Sequence, residues 1–366
     1  MTIKSYRTAV LPPQGAEIVA PRFNVGSINN VGVHLVDESG TEGFGYAYVF
    51  DSRSARAVAE LIEGFADAYV GSEPRDLRRV RSTLLIKKVN FLGLRGLARL
   101  AAAALDMAAW DLLCKLHDTN LMGLIGMERS EVPGFTAAGL WSGLPPEESA
   151  RIALEVSREF NSPYVKMWLG SDDLGFEYER IAAVRDALGR DAGIIIDAAQ
   201  AYDWRTAARL ARKVEDLEIL WFEDPVEYED LDGLAALGRE SPVPLGTGEH
   251  VYGIDHLKQH LDLGVLRYAV LDMERIGGIT DFLTAAALCG AYRVELVNHC
   301  FPHASMQVLA TAATGSWCEL APLWDGYFGK LDVRNGMVHL DCDAVGIGHE
   351  LVQPGGASSS QEGGDA

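Results

Sequence analysis

The sequence predicts an α/β protein: a (β/α)8-type barrel, or modified TIM barrel, preceded by an α+β domain. Three observations lead there. From Val132 onward, apolar runs of strand length alternate with segments of helical periodicity. The runs are VPGFTAAG, YVKMWL, GIIID, LWFE, VPLGTGE, RYAVLD, VELVNH and WCEL, eight in all. Three successive runs close on the carboxylates Asp197, Glu223 and Glu249, at two equal intervals of 26 residues. That interval suits one strand, one helix and two loops of a parallel unit. Finally, the strand ends from the second to the eighth read Lys166, Asp197, Glu223, Glu249, Asp272, His299 and Glu319. A barrel gathers such ends at one rim. An open doubly wound sheet, the rival architecture, would not bring this many to one point.

The elements follow in chain order. NNVGVHLVDESG and TEGFGYAYVF read as two strands joined by a Gly-containing turn. Residues 55–69 and 97–116 read as helices, the second rich in Ala and Leu with Trp110 on its buried stripe. Tyr46, Tyr48 and Phe50 read as core of this first domain. Helical periodicity between the barrel strands is clear at 176–188 and 204–217. The stretch KLDVRNGMVHLDCDAVGIG is β-like again and is expected to return to the first domain. This divides the chain into 1–128 with about 326–350, and a barrel over 129–325. Residues 354–366 are poor in apolar side chains and read as a disordered tail.

Composition narrows the function classes. At 366 residues the chain is long enough for one large barrel or two substantial cores. Its formal charge of −20 argues against nucleic acid or an anionic membrane as partner. A small anionic carboxylate substrate remains compatible if a metal and a local Lys reverse the field inside the site. The five cysteines are scattered without a CxxC pair, which reads as reduced thiol and a cytoplasmic protein. MTIKSYRTAVLPP lacks the apolar core of a signal peptide, and no uninterrupted apolar stretch is long enough to span a bilayer.

Carboxylates converging from three strands make a site for a hard divalent cation. The ordered set GYAYVF, AALDMAAWDLLCK, VKMW, IIID, FEDP, TGE, LDMERIGGIT, VNH and CEL resembles the enolase superfamily, in its mandelate racemase subgroup. The resemblance covers nearly the whole chain apart from the tail. It implies that the α+β part caps the barrel and that Asp197, Glu223 and Glu249 hold Mg2+, with Mn2+ as a substitute. It further implies an Asp272–His299 dyad that removes a proton next to a carboxylate, giving an enediolate. Glu319 then matches a protonated donor to that enediolate. Lys166 matches the first Lys of the family's KxK motif, and a homo-oligomer is the family's usual state.

One departure decides the expected reaction. Residues i and i+2 of a strand share a face, so Lys166 and Trp168 both enter the barrel. The resemblance puts a second Lys at position 168, opposite the His; an indole cannot accept that proton. Dehydration needs no second base, because His299 can take the α-proton and return it to the departing hydroxyl. The leading expectation is therefore a Mg2+-dependent dehydratase of a polyhydroxy carboxylic acid, yielding a 2-keto-3-deoxy acid. The rivals are a racemase, epimerase or cycloisomerase using the same enediolate, and a non-catalytic barrel. A second departure is Ala199, where the family often has Asn; Gln200 is a candidate replacement. Trp168 and His250, with Arg22, Asn24, Asn29 and Asn30 from a lid at 22–30, are the candidate specificity residues. The turn at 50–54 is a second candidate lid.

Overall fold

The computed structural model describes residues 2–348 and 351. The expected tail, 354–366, lies outside the described residues.

The chain opens with an antiparallel sheet of β1 (Ile3–Val10), β2 (Gln14–Val19), β3 (Asn24–Asp37) and β4 (Glu42–Val49). β3 is long enough to pair with all three others: β2 along its first part, β1 along its last, and β4 along its other edge. The turn into β4 is built by Asp37, whose Oδ1 accepts from the N–H groups of Ser39 and Thr41, with Gly40 at φ +89°. Helix Ser52–Ala66 follows, capped by Asp51, which accepts from the N–H groups of Arg53 and Ser54.

Helix Leu97–Leu116 is buried on nearly every side. It lies against β4 at backbone distance because Gly43 and Gly45 share one face of that strand. A Cβ on either would overlap the Ala108 or Ala104 carbonyl. An Ala-rich helix and a Gly-x-Gly strand are thus two halves of one close contact.

The barrel strands are β5 (Glu131–Thr136), β6 (Tyr164–Trp168), β7 (Gly193–Asp197), β8 (Trp221–Glu223), β9 (Leu245–Thr247), β10 (Leu266–Asp272), β11 (Glu295–His299) and β12 (Gly315–Leu320). All pair in parallel with their sequence neighbours, and β12 closes the ring on β5. The regular alternation departs at its end: β12 is followed only by the short turns Pro322–Trp324 and Asp325–Phe328. Next come β13 (Asp332–Arg334) and β14 (Met337–His339), a hairpin that pairs antiparallel with β5. That stretch, expected to rejoin the first domain, therefore extends the barrel sheet. Only beyond it does the chain reach back, where Gly346 bridges to Asn120 and the Ile347 N–H donates to Asp111. Among the described residues no helix is long and apolar enough to cross a membrane.

Phe135, Ile195, Trp221, Tyr268, Val270 and Val297 plug the barrel interior. Since side chains repeat every second residue along a strand, the positions two further on form the next layer up. Those are Asp197, Glu223, Asp272 and His299. The plug below gives them a dry, rigid floor.

The capping unit is clamped to the segment after β10. Gly277 and Gly278, at φ +120° and +90°, bring that backbone so close that a Cβ would lie 2.5 Å from the Arg99 guanidinium or the Asp106 carboxylate. Arg99 donates to the Ile276 carbonyl (2.6 Å) and to Asp281 (2.5 Å), while Arg81 donates to the Gly277 carbonyl (3.0 Å). Asp106 accepts from the Thr280 N–H (2.8 Å) and hydroxyl (2.6 Å). Trp110, read as a core residue, also donates its indole N–H to Thr280 at 2.9 Å.

Two outcomes are expected. Gly45→Ala forces helix Leu97–Leu116 away from β4 and lowers unfolding free energy by about 1–3 kcal/mol, read by urea denaturation. His303 donates its Nε2–H to the Gly329 carbonyl (3.1 Å), and burial holds its pKa at about 4 against an ordinary 6.5. A group whose folded pKa is depressed contributes stability that is complete above the unfolded value and lost as pH falls through the folded one. The melting temperature therefore drops between pH 6.5 and 4. His303→Gln, which keeps a donor but does not titrate, should make that drop shallower in calorimetry.

Candidate active site

Strand register aligns the reactive side chains. Trp168 pairs with Asp197, Asp197 with Glu223, and Asp272 with His299. Glu249 stands two residues beyond β9, and Glu319 lies near the end of β12.

Lys166 occupies the centre. Its Nζ lies 2.6 Å from Glu223 Oε1, 2.9 Å from Glu319 Oε1 and 3.3 Å from Asp197 Oδ2, fully buried. Burial pushes its pKa down, but the carboxylates of Glu223, Glu319 and Asp197 outweigh it and hold the ammonium well above the usual Lys range. In this arrangement the Lys166 ammonium is held by three carboxylates at once. Burial, together with neighbouring carboxylates, raises the pKa of Asp197 and Glu223 even so. Asp197 accepts from the Ala199 N–H (2.8 Å), and Glu223 from the Trp221 indole (2.9 Å).

Glu249 faces two imidazoles, His250 Nδ1 at 3.0 Å and His299 Nε2 at 3.1 Å. Burial would raise its pKa, but His299 and His250 hold it well below the carboxylate range. His250 also lies 2.9 Å from the Gln200 amide, so Gln200 does reach the site beside Ala199.

The dyad is formed: His299 Nδ1 lies 2.9 Å from Asp272 Oδ2. Asp272 is saturated with donors. Its Oδ1 accepts from the Glu274 and Arg275 N–H groups, capping the short helix Met273–Ile276. Its Oδ2 accepts from the Tyr48 hydroxyl at 3.0 Å. Burial alone would raise its pKa; Arg275 and His299 bring it below the ordinary value. His299 shows the opposite balance. Burial lowers its pKa, and Cys300, Glu249 and Asp272 hold it well above 6.5. Glu319, which the resemblance makes a donor to the enediolate if protonated, meets donors on both oxygens here, Lys166 and the Cys300 N–H (2.8 Å). Burial raises its pKa, and Lys166 and His299 more than reverse that.

These groups open into a cavity of about 620 Å3 between barrel and cap, lined by Trp168, Glu249, His250, His299 and Glu319 among others. Asn24 reaches it. Arg22, Asn29 and Asn30 do not: Arg22 lies 3.9 Å from Glu227 on the outside, and both asparagines are buried within β3. The candidate specificity role for those three is not supported: Arg22 precedes β3 and is exposed, and Asn29 and Asn30 are buried away from the cavity. Conversely, Tyr48, Arg275 and Cys300 line the cavity although the sequence reading left them out. Tyr48 is not simply core. Arg275 donates to the Glu249 carbonyl (2.9 Å) and the Tyr48 hydroxyl (3.3 Å), and Cys300 Sγ lies 3.6 Å from His299 Nε2. The one legible signal was Cys300's position beside His299.

The donor set suits a hard divalent cation. Asp197, Glu223, Asp224, Glu249, Asp272 and Glu319 are all buried around the permanent cations Lys166 and Arg275, an excess of negative charge in low dielectric. The oxygens of Asp197, Glu223 and Glu249 are not drawn to one point here, since Lys166 spans the first two and the imidazoles engage the third. The tightest donor groups among the described residues are Asp224–Glu249–His250 and Asp272–His299–Cys300.

A closed parallel barrel, capped by a separate unit and carrying carboxylates, an imidazole and a buried Lys at its mouth, defines a class of capped acidic-rim barrels. Within it, the chain belongs to the enolase superfamily, in its mandelate racemase subgroup. Residues 9–126 match the mandelate racemase / muconate lactonizing enzyme N-terminal domain, and residues 149–354 match the enolase C-terminal domain-like family. The chain is similar to L-talarate/galactarate dehydratase of Salmonella typhimurium, at 28% identity over 86% of this chain and 78% of that one. It is also similar to 3,6-anhydro-alpha-L-galactonate cycloisomerase of Streptomyces coelicolor, at 26% identity over 78% and 79% of the two chains. The crystal structure of the Salmonella dehydratase liganded with Mg and L-lyxarohydroxamate superposes with TM-score 0.88, covering 95% of this chain and 90% of that one at 24% identity.

Tyr48→Phe tests the link from cap to dyad. Losing a donor leaves more negative charge on Asp272, which faces His299 Nδ1, so the imidazole holds its proton more tightly. The acid limb of the pH–kcat/KM profile should move to higher pH, with kcat/KM down about 10–100-fold. An unchanged profile would show that Tyr48 acts on packing alone.

Proposed function

We propose that this chain is a Mg2+-dependent dehydratase of a polyhydroxy carboxylic acid, forming a 2-keto-3-deoxy acid. The observation that carries the reading is an asymmetry across the cavity. A His–Asp dyad stands on β10 and β11, while Trp168 occupies the second-base position and Lys166 is tied to three carboxylates. The similarity to a dehydratase whose crystal structure holds Mg supports both reaction and metal.

Asp197, Glu223 and Glu249 are the proposed ligands. When bound, a divalent cation supplies Lewis-acid stabilisation to the charge developing on the substrate carboxylate. The protein's own groups do the rest. In its neutral form His299 takes the α-proton on Nε2, and the C–H electron pair enters the enediolate. Asp272, bonded to Nδ1, stabilises the imidazolium so formed. That imidazolium protonates the β-hydroxyl on the same face; the C–O bond breaks, water leaves, and the enol becomes the 2-keto product. Lys166 keeps positive charge beside the developing oxyanion, and Trp168 excludes water from the opposite face.

One observation favours the isomerase reading as the alternative. His250 brings a second imidazole to the cavity, its pKa raised to about 9 by Glu249 although burial opposes this. With His250 as partner to His299, a racemase, epimerase or cycloisomerase has two proton carriers.

Incubation in D2O separates the readings. Dehydration gives a 2-keto product, whereas racemisation or epimerisation gives α-deuteration with the water retained. His299→Asn should cut α-proton exchange by about 10²–10⁴-fold while calorimetry still detects Mg2+ binding. Full exchange in that variant would remove His299 as the base.

A further inference from the structure

The charged groups of the cavity are concentrated at the barrel floor; the rest of its wall is mostly apolar and carries a run of aromatic rings. Trp141, Trp168, Phe23, Phe50, Tyr48 and Trp324 form one continuous band in which each ring meets the next. The successive centroid separations are 6.1, 6.2, 6.4, 5.7 and 5.2 Å. Every member lines the cavity. Phe23 and Phe50 come from the cap and are 38% and 43% exposed, and both open onto the cavity. Ile18, Val25, Pro322 and Leu323 extend the apolar surface. The indole nitrogens of Trp168 and Trp324 are covered and make no hydrogen bond, so neither offers a donor to a hydroxyl.

Cations are lacking where a second carboxylate would need one. Among the described residues lining the cavity, the basic groups are His250, His299 and Arg275. All three are engaged at the floor, His250 and His299 with Glu249, and Arg275 with the Glu249 carbonyl and Tyr48. The neutral amides are Gln14 and Asn24. A diacid, or a chain hydroxylated to its end, would bury polar groups against aromatic faces without partners. Each such group lowers affinity on the order of tenfold or more.

We propose that the substrate is a monocarboxylate with hydroxyls only at its reacting end, whose far end is an apolar group such as an aryl or branched alkyl. This rests on the enediolate reading of the same site and specifies which acids reach it. The 2,3-dihydroxy-acid head meets His299, Glu319 and the proposed metal ligands. The tail lies along the aromatic band, which stacks against flat or branched carbon surfaces.

The test uses the full chain loaded with Mg2+ and four probes: 2,3-dihydroxy-4-phenylbutanoate as its stereoisomers, glycerate, gluconate and galactarate. Calorimetry gives affinity, and assays in D2O give deuterium uptake and 2-keto product. One stereoisomer of the phenyl acid should exceed gluconate and galactarate in affinity, and in kcat/KM, by on the order of 100-fold. The Phe23→Ala/Phe50→Ala double variant, altering two exposed side chains, should shrink the preference for the phenyl acid over glycerate by about tenfold. Preference for galactarate or gluconate overturns the inference and leaves dehydration standing. Deuterium uptake by the phenyl acid without loss of water overturns dehydration and leaves the inference standing. Failure of every phenyl stereoisomer to bind overturns the inference outright.

Discussion

The site depends first on the saturation of Asp272. Four donors converge on this one buried carboxylate: two backbone N–H groups, the Tyr48 hydroxyl and His299 Nδ1. Each comes from a different level of the structure. The N–H groups exist because β10 turns directly into a short helix, the imidazole because β11 is in register, and the hydroxyl because the cap is docked. A buried carboxylate short of partners would take up a proton; this one remains an acceptor and fixes the imidazole's tautomer. The cap is held for that purpose by the Arg81, Arg99 and Asp106 contacts with the glycine turn at 277–278. Packing far from the chemistry thereby sets the position of a proton.

Charge is the second organising constraint. A barrel mouth with this many buried carboxylates is stable only with cations among them. Lys166 meets part of that requirement through three carboxylates at once, which explains why it is a fixed ammonium. The remaining excess fits a divalent ion. The same balance bears on the proposed reaction: with Lys166 committed and Trp168 beside it, that reading assigns proton transfer to the imidazoles.

Much of this was legible in the primary structure, for a definable reason. Strand periodicity is local, so the plug residues and the reactive layer two positions above them, Ile195 below Asp197 or Trp221 below Glu223, are readable in order. The even spacing of βα units is also local. Gly43 and Gly45 were visible too, though not their purpose, which needs the helix they admit. The readings that went astray all involve contacts distant in sequence. Tyr48 looked like core because nothing nearby announces Asp272, 224 residues away. Arg22, Asn29 and Asn30 looked like a polar lid because which side chains of this segment face the barrel is set by docking. The terminal hairpin looked like cap because its β pattern does not name its partner strand, β5.

The sequence by itself determined the barrel, the order of its reactive strand ends and the indole at position 168, since all three follow from short-range alternation and spacing. Tertiary structure alone decided what those ends face. It joined Tyr48 to the dyad, committed Lys166 to three carboxylates and turned Phe23 and Phe50 rather than Asn29 and Asn30 into the cavity. The physical reason is that burial and charge are properties of the assembled volume: a side chain's partners there come from strands and helices that the local pattern cannot pair.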